Sequence, residues 1–234
     1  PTQLYTYRGP LIEEARTNEL ESSGDLSNVT FWRPDGVTTS YTTAPDGTNT
    51  ASILTEDTTT GEHCILSENG NRPNTTGWAA EAASFRVLKA GTRRYVSLMV
   101  GGTPNFYSAT LDTDTGLITE TAASGTATVT ASSVVDKGDY WILSVVGSAP
   151  ISSSNVRLMG SLAATGNTAP KSYLGDGSST LIGWGAQLEQ ASASSSLIPT
   201  TTAAVTRNAD VLSYPTANWF ADGQAGTLQV DADL

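Results

Sequence analysis

Hydrophobic and polar positions alternate along most of this chain with a period of two, in short runs separated by turn residues. In Ser84-Phe85-Arg86-Val87-Leu88-Lys89, Phe85 and Val87 fall on one side of an extended segment, Arg86 and Leu88 on the other, because successive strand side chains point to opposite faces. In Tyr95-Val96-Ser97-Leu98-Met99-Val100, the residues Val96, Leu98 and Val100 line one face. Such runs predict strands over residues 51–55, 62–67, 82–89, 95–101, 106–111, 126–134, 140–146 and 156–162. Between them stand Ala44-Pro45-Asp46-Gly47, Asn69-Gly70, Lys89-Ala90-Gly91, Asp112-Thr113-Asp114-Thr115-Gly116, Asp136-Lys137-Gly138-Asp139 and Gly175-Asp176-Gly177, residue types that supply turn geometry. No segment keeps a helical period through three turns, and local helical or turn structure is expected only around residues 26–32. Short strands with turns roughly every 10 to 15 residues predict a sandwich or jelly roll.

Length and composition narrow this further. A chain of 234 residues holds one large all-β domain or two small ones, with enough volume for a substantial core. Charged residues make up only 15%, while five Trp and eight Tyr are spread among β-branched residues, which separates the chain from disordered sequences. The net charge of −11 argues against a nucleic-acid partner, whose phosphates need clustered Lys and Arg. The single cysteine, Cys64, leaves no intrachain disulfide and no cysteine-based zinc site. No run approaches the roughly 20 apolar residues of a membrane span. The chain begins at Pro1 without a signal peptide and stops after Ala225-Gly226-Thr227-Leu228-Gln229-Val230-Asp231, a turn entering a strand, so a piece of a longer multidomain protein is expected.

The stretch Ile182-Gly183-Trp184-Gly185-Ala186-Gln187-Leu188-Glu189, followed by Leu197-Ile198-Pro199-Thr200 and Ala204-Val205-Thr206-Arg207-Asn208-Ala209-Asp210-Val211-Leu212, resembles the closing strand and tail of a carbohydrate-binding-module-like jelly-roll domain of bacteriophage tail fibres and head spikes. Gly9-Pro10-Leu11-Ile12-Glu13-Glu14-Ala15-Arg16-Thr17-Asn18-Glu19-Leu20 resembles its start. Ala44 to Thr48, Glu56-Asp57, Phe85 to Gly91, Leu111 to Gly116 and Gly138-Asp139-Tyr140-Trp141 resemble phrases in between. The likeness covers residues 9–212, leaving a lead-in at 1–8 and a linker with the start of a following domain at 213–234. Tyr214-Pro215-Thr216-Ala217-Asn218-Trp219-Phe220 resembles the lead into a concanavalin-A-like domain. The resemblance implies an all-β jelly-roll sandwich of two antiparallel sheets in a virion protein that acts outside the cell. Expected partners are a cell-surface glycan or other host receptor and other virion proteins, with assembly as a homotrimer and no membrane insertion. Two other readings remain open: an accessory module of a polysaccharide-degrading enzyme, and a purely architectural spacer or decoration domain.

Catalytic chemistry finds little support in the residues. His63 is the only histidine, and its neighbour Cys64 points to the opposite face if both are extended, which excludes a dyad there. Glu13-Glu14 and Glu56-Asp57 alternate faces in the same way, and no carboxylate pair of the kind glycosidases need singles itself out. Asp112 to Gly116 lacks the ligand spacing of a calcium-binding loop and reads as a hairpin turn. Glu14 and Glu189 are conceivable ligands of a structural calcium through the resemblance alone; no catalytic residue, metal or cofactor is assigned. Sugar recognition needs an aromatic face with amides and carboxylates beside it. Trp141 and Trp184 stand inside apolar strands and read as core. Trp78, with Asn74 and Arg72 in the divergent loop 69–83, is the leading ligand candidate, followed by Trp32 and by Tyr107 in Asn105-Phe106-Tyr107.

Overall fold

A computed structural model describes residues 12–68, 71, 73–102, 104–152, 155–161 and 172–211. Among them the chain forms sixteen strands and no helix. The strands are β1 (Arg16–Asn18), β2 (Trp32–Asp35), β3 (Val37–Thr42), β4 (Ala51–Glu56), β5 (Thr60–Gly61) and β6 (Cys64–Ser67). The long central strands follow: β7 (Glu81–Leu88), β8 (Tyr95–Gly102), β9 (Asn105–Asp112), β10 (Leu117–Ser124), β11 (Thr128–Asp136) and β12 (Tyr140–Ser148). The last four are β13 (Asn155–Ser161), β14 (Tyr173–Leu174), β15 (Thr180–Glu189) and β16 (Val205–Arg207).

Two six-stranded antiparallel sheets face each other, ordered β10-β9-β8-β13-β6-β2 and β11-β12-β7-β15-β4-β3. Eight strands carry the topology. β4 pairs with β15, β6 with β13, β7 with β12, and β8 with β9, so first meets last and the pairs nest inward along the chain. That is the order of a jelly roll, two Greek keys wound together, and it makes the expected fold class correct. The hairpins β9–β10 and β11–β12 extend both sheets at one side, while β2 and β3 extend them at the other.

The period-two pattern places the core. Phe85 and Val87 of β7, Leu143 and Val145 of β12, Val96, Leu98 and Val100 of β8, and Val156 and Leu158 of β13 all lie buried between the sheets. Trp141, expected in the core, is in this cluster. Each strand expected between residues 51 and 161 is present, most of them shifted by a residue or two. The segment 26–32 resolves into successive turns ending at β2 rather than a helix. Strands β3 and β10 are among those not anticipated; both are sheet edges with no buried position, and edge strands expose much of their surface and so lose the contrast that marks a half-buried strand. The expected boundaries near residues 8 and 213 lie outside the described residues.

The two segments that resemble the module's start and end form one assembly. β1 pairs with β16, Arg16 opposite Arg207 and Asn18 opposite Val205, and Arg207 is bound to Glu13 at 2.8 Å. Asn18, fully buried, donates through Nδ2 to the carbonyls of Ala186 and Ile198 and accepts through Oδ1 from the amides of Leu20 and Leu188. One side chain thus ties the opening strand, the last sheet strand and the exit segment together.

Candidate functional site

The closing sequence Gly183 to Glu189 has a specific local reason for each residue. Gly183 faces inward, where a Cβ would fall 2.7 Å from Leu158 Cδ2. Trp184 faces outward. The register against β7 then slips by one residue, from Trp184↔Arg86 to Gln187↔Ser84, and Gly185 takes up the extra residue with a φ of +64°. A left-handed glycine in a bulge is the cheapest way to insert a residue, and Arg86 Nη1 caps it by donating to the Gly185 carbonyl at 2.8 Å. Burial pulls the Arg86 guanidinium down to about 10. Beyond the bulge, Ala186 and Leu188 point inward while Gln187 and Glu189 point outward and hold the exit segment. Gln187 Oε1 accepts from the Ile198 amide at 2.7 Å, and Glu189 accepts from the amide and hydroxyl of Ser195 at 2.9 and 2.5 Å.

The exit segment, residues 190–202, therefore lies across the outer face of the β11-to-β3 sheet. It covers a second apolar layer of Ala44, Ala51, Ile182 and Trp184, with Leu88 and Leu197 packed on it. A groove opens on either side of this cover. One, of about 400 Å³, runs between β11, β12 and the serines 192–196, with Arg86, Lys137 and Glu13 in its lining. The other, of about 460 Å³, is bounded by Asp25, Asn28, Asp46, Thr48, Thr50 and Trp184 together with the tail residues 199–202.

The second groove is stiff and chemically mixed. Its walls are stitched by the Ser22 amide donating to the Thr201 carbonyl at 2.7 Å, the Thr200 amide to Ser23 Oγ at 2.8 Å and the Ser23 amide to Thr200 Oγ1 at 3.1 Å. Trp184 is 8% exposed and donates its indole N–H to Thr50 Oγ1 at 3.2 Å. Asp25 Oδ1 accepts from the Ser27 amide and Asp46 Oδ1 from the Thr48 amide and hydroxyl, which orients both carboxylates. Tyr41, 50% exposed, bonds Asp25; burial first, and then this carboxylate, raise its phenol. Ser22, on the groove wall, is the non-glycine residue with positive φ among the described residues, at 51°. Such a conformation costs about 1 kcal/mol and tends to persist at functional sites.

The candidates named from sequence are scattered. Trp32 and Tyr107 belong to the core and present no ring face to a ligand. Trp32 lies 6.0 Å edge-on from Phe85 and donates to the Ser22 carbonyl; Tyr107 donates to the Glu81 carbonyl and to Glu81 Oε2. Both point inward because they open or alternate along inner-face strands. Trp78 is half-buried and packs on the core, held by its amide to the Thr75 carbonyl, while Asn74 beside it is exposed. Arg72 lies outside the described residues. Trp184, expected as core, is buried, but on the outer face beside the groove rather than between the sheets.

His63 is enclosed, its ring 4.4 Å from Tyr173 and Nε2 3.3 Å from Asp57 Oδ1. Tyr173 donates to Glu56 at 2.5 Å, and Arg93 pairs with the same carboxylate. Glycines close this node without a cavity: a Cβ on Gly175 would fall 2.4 Å from His63 Nε2. Cys64 lies in a separate apolar cluster with Leu66, Met99, Phe106 and Met159. The hairpin at Asp112 is present as expected, and its carboxylate is taken by Arg94 at 2.9 and 3.1 Å. Glu14 pairs with Arg16 and Glu189 with Ser195, and among the described residues no group of His, Cys, Asp and Glu is gathered for a metal.

Sequence reasoning missed Asp25, Asn28 and Asp46 as groove residues, and Tyr41 as the neighbour of Asp25. The available signal was the turn Ala44-Pro45-Asp46-Gly47, legible as a turn but not as the rim of anything. No family model matches this chain, and no curated protein matches it.

Proposed function

We propose that this chain is a non-enzymatic, glycan-binding jelly-roll module of a phage tail fibre or spike, attaching the particle to its host surface. The observation that carries the binding part is the groove beside Trp184, where an indole edge, two oriented carboxylates, an amide and several hydroxyls converge on one stiff concavity. This is the mixture that sugar recognition needs: apolar surface under a ring's C–H face, and fixed acceptors for its hydroxyls. The virion setting is supported by the resemblance of residues 9–212. Monovalent affinity in an open groove of this size is weak, and three copies in a fibre would raise it by about 10² to 10⁴ through avidity.

A glycan screen by calorimetry on the 234-residue chain tests the reading. Millimolar binding that survives Trp78→Ala excludes the loop and is the outcome expected of the groove, and binding lost with Trp78→Ala moves it to the loop. No binding to any glycan would leave the architectural spacer as the surviving reading. Light scattering at high concentration tests assembly, with a trimer expected.

A further inference from the structure

We infer that the groove beside Trp184 takes an uncharged saccharide and turns acidic ones away, an inference that rests on the glycan-binding reading above. The polar lining is one-sided in charge. Asp25 and Asp46 contribute carboxylates, Asn28 an amide, and Ser and Thr residues hydroxyls; Lys and Arg are absent from the lining. The described arginines nearest in kind are committed elsewhere: Arg16 to Glu14, Arg33 to Glu68, Arg93 to Glu56, Arg94 to Asp112, Arg157 to Glu62 and Arg207 to Glu13. The serine groove across the cover differs, with Arg86 and Lys137 in its lining.

Recognition of sialic or uronic acids, or of sugar phosphates, relies on a cation or a cluster of N–H donors facing the anion. The Trp184 groove offers acceptors instead. Carboxylates fixed by their own turns accept hydrogen bonds from sugar hydroxyls, and such charge-assisted bonds are shorter and stronger than neutral ones. A ligand carboxylate placed about 4 Å from Asp25 or Asp46 meets repulsion worth roughly tenfold in affinity at a solvent-accessible site. Tyr41 lies outside the lining but bonds Asp25 and is half-exposed, so a pyranose seated on Asp25 would have an aromatic side chain within reach.

The test is a ¹⁵N NMR titration of the whole chain that follows the Trp184 indole N–H, with a panel of neutral oligosaccharides and their uronic-acid or sialylated counterparts. Neutral sugars are expected to shift that resonance, with acidic ones at least about tenfold weaker. Asp25→Asn with Asp46→Asn is expected to remove the discrimination, since Asn preserves the turn hydrogen bonds. Gly24→Ala adds a methyl 3.4 Å from Trp184 Nε1, an ordinary contact at a backbone position without positive φ, and is expected to weaken the shift caused by neutral sugars. Equal or tighter binding of acidic glycans at Trp184 overturns the inference and leaves glycan binding standing. Shifts confined to other resonances overturn the site, and silence toward both classes overturns the inference together with the glycan-binding reading.

Discussion

The β11-to-β3 sheet is covered on both faces, and the two covers are unlike. Its inner face meets a second sheet through Phe85, Val87, Leu143 and Val145, all nearly solvent-free. Its outer face meets only a strand-free segment of about a dozen residues, held by polar side chains: Gln187 and Glu189 of the sheet itself and Asn18 of β1. An apolar interface between sheets leaves no room beside it, whereas a narrow strap pinned by hydrogen bonds leaves a groove along each margin. The inner face thus supplies stability, and the outer face supplies shaped surface on a rigid floor.

Substitution separates these roles. Phe85→Ala should cost about 3 to 5 kcal/mol in urea unfolding, the range for deleting a fully buried aromatic side chain. A cost below about 2 kcal/mol would mean the inner face is not the main source of stability. Gln187→Ala removes the acceptor of the buried Ile198 amide and should cost about 1 to 3 kcal/mol. Hydrogen exchange distinguishes the mechanism: amides of Ser195 and Ile198 should lose protection while those of β7 and β12 keep theirs. Uniform loss across the sheet would make the strap and the sandwich one cooperative unit.

Acid sharpens the contrast between interior and rim. Arg94 first of all, and neighbouring turn amides, hold Asp112 below the usual aspartate range, and Lys89 does the same for Asp136. Their folded values are lowered, so their contribution is present at neutral pH and lost as pH falls below about 4. Glu81, buried inside, is raised by that burial despite the Ala149 amide, so its contribution runs the other way and favours the fold as pH falls toward the ordinary glutamate value. The urea midpoint should therefore decline below about pH 4, less steeply in Asp112→Asn and more steeply from neutral pH in Glu81→Gln. Identical profiles in all three proteins would refute the assignment. The smallest expected change in stability is that of Tyr41→Ala, within about 0.5 kcal/mol for an exposed side chain, yet the same variant should weaken glycan binding measurably. Unchanged affinity would remove Tyr41 from the site.

The fold was largely legible because inner-face positions such as Phe85, Val87, Val96 and Leu98 repeat every second residue, and a one-residue slip would turn them all outward. The closing strand β15 was legible for the same reason at Leu188. The outer-face grooves were not. Trp184 sits in an apolar strand, and alternation cannot say whether its face meets the second sheet or a strap. Gln187 and Glu189 read as ordinary polar positions, since their partners lie several residues on in a segment that looks like a mere connector. The groove itself draws on residues 22–50 and 184–202, which meet only after the nested pairing of the jelly roll is complete.

The pairing of β1 with β16 has a mechanical meaning. Arg16 and Arg207 stand opposite each other, so the chain arrives at and departs from neighbouring points. Tension applied at Glu13 and Asp210 would load the hydrogen bonds between these two residues first and then open the three-residue ladder one bond at a time, before it reached the long ladders of the sandwich.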